Sequence, residues 1–130
     1  MSNAFYKLKV QNIDLLTMDG KLSSNGLKIF CWLGNQVENG NKANIDTKQI
    51  VAHFKMDKSL ISKALKELEE GLLIKIEHSA GSDRVIAVSP TYFYKGDYSL
   101  QAGLVKRWYA DIRKKHWGSV VKETEVFLNE

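Results

Sequence analysis

The sequence predicts an α+β fold, mostly α, in which three helices are followed by a two-stranded hairpin and an appended C-terminal amphipathic helix. Apolar residues recur at helical spacing through 23–37, 45–54 and 57–70. The period then falls to two across Leu72–His78 and again across Arg84–Ser89, as in paired strands. Helical spacing returns from Ser99 onward.

Taken in order, Phe5–Val10 alternates as a short strand or extended arm, and Ile13–Met18 reads as a short helix broken by Asp19-Gly20. Ser23 and Ser24 offer N-caps for a helix carrying Leu27, Ile29, Phe30, Cys31, Leu33 and Val37, with Cys31 in the core, and Asn39-Gly-Asn41 ends it. After Ile45, Asp46 followed three residues later by Gln49 has the form of a capping box, and Ile50, Val51 and Phe54 continue the inward face. Lys55-Met56 makes the turn, Asp57 caps the third helix, and Gly71 stops it where a positive φ is needed. In the hairpin, Ile74 and Ile76 face one side, Ser79–Asp83 form a five-residue loop and Pro90 closes the returning strand. Lys95-Gly96-Asp97 is the joint to the last helix, whose stripe is Leu100, Leu104, Trp108 and Ile112, with Val105 and Tyr109 beside it, ending near Gly118. The opposite face is basic, and Val120–Glu130 is a strand or unstructured.

With 130 residues the chain suits one core. Ser2-Asn3-Ala4 resembles the remnant of a cleaved tag, so residues 1–4 are set aside, 5–97 form the domain, and 98–130 form the last helix and an acidic tail. No run of eighteen apolar residues occurs, so a soluble protein with no membrane contact is expected. A single cysteine excludes a disulfide framework and points to a reducing, cytoplasmic setting. The formal charge of +4 says less than its distribution: residues 42–66 carry six lysines against Asp46 and Asp57, and 106–116 carry five basic residues against Asp111.

The third helix has two opposed faces. Ile61, Ala64, Leu65 and Leu68 form its buried stripe, while Ser59, Ser62, Lys63 and Lys66 repeat that spacing about 200° round the helix. Small hydroxyls and lysines approach base edges and phosphates without obstruction, and the flanking capped helix and hairpin favour DNA contact over a merely solvated face. Lys63 and Ser62 are the base-edge candidates, and Lys48, Lys55, Lys58 and Lys66 are the phosphate candidates. The hairpin reads equally as structural or as DNA-contacting; Arg84, whose guanidinium forks onto anions, is its one candidate. Trp108, Tyr109 and Trp117 are packing or dimer residues. His53, His78 and His116 have no ligand spacing, so no metal is assigned; no phosphate-binding glycine loop or Ser/His/Asp set appears, so neither a cofactor nor enzymatic activity is expected.

Three helices and a hairpin in this order resemble the winged helix-turn-helix, in which the second helix of the motif enters the major groove. Thr47-Lys-Gln-Ile50, Asp57-Lys-Ser-Leu-Ile-Ser62, Leu65, Leu68 and Gly71-Leu-Leu-Ile74 carry that resemblance over residues 22–90. Ile86-Ala-Val-Ser-Pro-Thr-Tyr-Phe-Tyr-Lys-Gly-Asp97 is similar to the ending of RepL-type plasmid replication proteins, and Phe5, Lys7 and Leu27–Val37 extend the similarity to 5–97. Val51 stands where such motifs favour alanine, Lys55 where they favour glycine, and Ser89 replaces an asparagine; Lys55 therefore either tolerates a positive φ or sits in a different turn. The resemblance implies an initiator of plasmid or phage replication that binds double-stranded DNA at its origin, recruits host replication proteins and carries no nuclease. A winged-helix repressor or copy-number regulator would share these residues, and a protein-interaction winged helix would turn the lysine face to an acidic partner. The stripe of the last helix suits docking on its own domain or on a second copy as a homodimer.

Overall fold

The computed structural model describes residues 7–18, 22–38 and 40–116, so the expectations for Met1–Ala4, Asp19-Gly20, Trp117 and the Val120–Glu130 tail lie outside the described residues. The chain is α+β. Its elements run β1 (Lys9–Val10), α1 (Ile13–Met18), α2 (Ser24–Gln36), β2 (Lys42–Asp46), α3 (Thr47–Phe54), α4 (Lys58–Glu70), β3 (Ile74–Ala80), β4 (Asp83–Val88), β5 (Phe93–Tyr94), a 3-10 turn (Tyr98–Leu100) and α5 (Gln101–His116).

α2 and α3 start where side chains satisfy their unpaired backbone groups. Ser23 Oγ accepts from the Gly26 N–H (3.0 Å), and Glu67 of α4 accepts from the Ser23 N–H and hydroxyl (both 2.9 Å), tying the start of α2 to α4. The capping box of α3 is complete: Asp46 accepts from the Lys48 N–H at 2.8 Å, and Gln49 Oε1 accepts from the Asp46 N–H at 2.7 Å. Asp57 occupies the N-cap of α4, but its side chain makes no capping bond.

Gly71 is not the left-handed residue expected at the end of α4. Its φ is −80°, and Leu72 takes the positive φ of 64°. The Leu73 N–H donates to Leu68 O (3.0 Å) and the Leu72 N–H to Glu69 O (3.1 Å), the paired bonds of a Schellman ending with its left-handed position one residue later.

β2 was not expected from the sequence; it pairs antiparallel with β4, giving the order β2-β4-β3. The expected loop Ser79–Asp83 is shorter in fact. Pairing runs to Ala80↔Asp83, leaving Gly81 and Ser82 at the tip, with Gly81 at φ 60°. A register shift between Ile76 and His78 marks a bulge at Glu77. The Thr47 N–H donates to Ser82 O (2.9 Å), fastening the tip to the start of α3.

One cluster joins Ile29, Phe30 and Leu33 of α2, Ile50 of α3, Ile61, Leu65 and Leu68 of α4, Ile74 of β3 and Ile86 and Val88 of β4. Cys31 is half-buried at its edge rather than within it, and that burial pushes its thiol up. Gly34 lets α2 approach Phe93, whose ring lies where a β-carbon would project. α5 docks on its own domain. Trp108 is buried against Ala87, and its Nε1–H donates to Leu72 O at 2.9 Å; Gln101 donates to Pro90 O at 2.9 Å. Leu100, expected in the apolar stripe, is instead exposed in the 3-10 turn that precedes α5.

Candidate nucleic-acid interface

α4 follows α3 after three residues. Lys55 holds the left-handed conformation at φ 55° and ψ 42°, with its N–H donating to Val51 O at 2.8 Å. The lysine therefore tolerates the glycine-like position, at a cost of about 1 kcal/mol, and the tight turn is kept. Its side chain is exposed.

The opposition of faces in α4 is borne out. Ile61, Ala64, Leu65 and Leu68 are buried, while Lys58, Ser59, Ser62, Lys63 and Lys66 are exposed. Lys48, in the first turn of α3, is exposed as well. Lys48, Lys55, Lys58, Lys63 and Lys66 make no ion pair among the described residues. Lys42, counted with them in the basic stretch of the sequence, belongs elsewhere: its Nζ sits 2.8 Å from Glu77, which also takes Lys75 at 3.4 Å. Burial works to raise the Glu77 carboxyl, and these two ammoniums together hold it below the ordinary range.

Arg84 is half-buried, and its Nη1 donates to Gly81 O (2.7 Å) and Asp83 O (2.9 Å), so part of the guanidinium braces the hairpin tip. Asp46 stands near both Lys48 and Arg84. The Lys48 N–H and the Ser82 hydroxyl hold its carboxyl below the usual range, with both cations adding to the effect, so one fixed negative charge sits where α3 meets the hairpin. Asn44, Asp46, His78 and Arg84 line a shallow groove there.

A second shallow groove, about 200 Å³, runs along α4 beside the start of α2 and is lined by Ser23, Asn25, Leu60, Lys63, Ala64 and Glu67. The sequence reading gave Leu60 no role, although the signal was there. Leu60 lies one residue off the Ile61–Leu68 stripe, about 100° round the helix, so it falls outside the buried face.

Comparison with protein-family models, curated proteins and solved structures returns no match. Among the described residues no helix is long and apolar enough to cross a membrane.

Proposed function

We propose that the chain is a winged-helix protein that binds double-stranded DNA sequence-specifically, acting as a RepL-like plasmid or phage replication initiator. It marks an origin in the cytoplasm and leaves chemistry to recruited host replication proteins, needing no cofactor and catalysing no reaction itself. In this reading α3 and α4 are the two helices of the helix-turn-helix, α4 enters the major groove, and β3–β4 is the wing.

One observation carries the proposal: α4 seats its apolar stripe in the core while turning hydroxyls and unpaired lysines to solvent. A lysine already paired with a carboxylate must give up that partner to meet a phosphate; these lysines have none to give up among the described residues. Ser59, Ser62 and Lys63 are short or flexible enough to reach base edges, and Lys48, Lys55, Lys58 and Lys66 supply the phosphate contacts. Arg84 has a narrower role than a free fork, since one of its nitrogens is committed to the hairpin tip.

Footprinting the purified protein on DNA flanking its own gene tests the proposal. A protected segment at moderate salt is the expected result. Failure to protect that DNA, together with failure to retain any duplex at low salt, would overturn it.

A further inference from the structure

α4 carries one large apolar side chain outside its buried stripe. Leu60 is 42% exposed and stands in the first turn of α4, the part of a recognition helix that meets base edges. Among the described residues the other exposed large apolar side chains, Val10, Tyr98 and Leu100, belong to β1 and the 3-10 turn, and the Tyr98 hydroxyl donates to Lys7 O, two residues before β1, at 2.8 Å. Leu60 alone lies on the lysine-bearing helix.

An isobutyl group offers nothing to a phosphate and gains nothing from water. In the major groove one base-edge feature suits it, the C5-methyl of thymine. The groove around Leu60 supports contact with bases over contact with backbone. Ser23, Asn25 and Lys63 supply polar walls, and Glu67, anchored by the Ser23 N–H and hydroxyl, places a carboxylate that repels phosphate from this flank. We infer that Leu60 is a specificity-determining residue that reads thymine by methyl contact, so that the preferred duplex carries thymine beneath the first turn of α4. This rests on the DNA-binding reading and adds to it the kind of base selected.

Replacing thymine by uracil removes only that methyl, which makes the test sharp. The probe is the duplex protected in the footprint, with each thymine replaced singly by uracil and binding measured with the full chain. Losing one buried methyl contact corresponds to roughly a fourfold loss of affinity. The expected result is such a loss at one or two positions for the unaltered protein, and none at those positions for Leu60→Ala. Lys66→Ala, which removes a charge but no methyl contact, should keep the uracil penalty while binding more weakly throughout. Indifference of the unaltered protein to uracil at every position, with binding intact, would overturn this inference and leave the DNA reading standing. So would a Leu60→Ala protein that still discriminates. Absence of binding to any duplex would overturn both.

Discussion

Lys55 holds a backbone conformation that suits glycine, at φ 55°, while its exposed side chain is placed to meet a phosphate. The two roles have opposite signs under substitution. Lys55→Gly should relieve left-handed strain of about 1 kcal/mol, less the extra freedom glycine gains in the unfolded chain, so thermal unfolding should shift upward slightly. The same variant should weaken binding to every duplex alike, whereas Lys63→Ala should relax sequence preference. Competition binding with matched and mismatched duplexes separates these effects, and equal losses from both variants would refute the division of roles. The sequence left two outcomes open at Lys55, a tolerated positive φ or a different turn, and the structure shows the first. The end of α4 was not legible in the sequence. Gly71 looked like the left-handed residue, but the Leu73-to-Leu68 bond sets that position at Leu72, whose carbonyl also takes the indole N–H of Trp108.

The helices were readable because their signals are local: α2 and α3 each pair an apolar stripe with a side-chain cap, and the stripe of α4 recurs within a dozen residues. β2 was missed for the opposite reason. Lys42-Ala-Asn-Ile-Asp46 is short and holds poor strand formers, and its pairing with β4 joins positions about forty residues apart, from Lys42↔Ala87 to Asp46↔Asp83. The close approach of α2 to β5 is equally non-local. Gly34→Ala would drive a β-carbon into the Phe93 ring at the centre of the core, and a cost of about 1–3 kcal/mol is expected in denaturant unfolding. A change below a few tenths of a kcal/mol would mean that α2 and β5 are further apart than described. At the start of α3 the expectation concerns pH. The folded Asp46 carboxyl lies below its unfolded value near 4, so its contribution is fully present above about pH 4 and is lost as pH falls through the lower folded value. Asp46→Asn keeps a good N-cap and cannot titrate, so its acid decline should be shallower. Some decline should remain, because Glu77 and Asp97 are held low as well: Glu77 by Lys42 and Lys75, which outweigh its burial, and Asp97 by the Ser99 hydroxyl and N–H.

Across the whole molecule, the three-stranded sheet separates two kinds of positive charge that the sequence runs together. Lys42 and Lys75 flank Ala87 across the strands, share Glu77 and line the cleft beneath α5 with Trp108. The lysines of the turn and α4 have no such partner among the described residues, and Lys48 of α3 makes no ion pair there, though the Asp46 carboxylate stands near it. Net charge cannot distinguish these groups, but a salt titration can. If about six phosphates are neutralised, the logarithm of the association constant should fall with the logarithm of salt concentration with a slope near −5. Removing Lys48, Lys55, Lys58 or Lys66 singly should lessen that slope by about one. Lys42→Ala removes the same unit of charge from a side chain already committed to Glu77, so its slope should match that of the unaltered protein. If Lys42→Ala and Lys66→Ala lowered the slope equally, the duplex would be held by overall charge and not by the exposed face of α4.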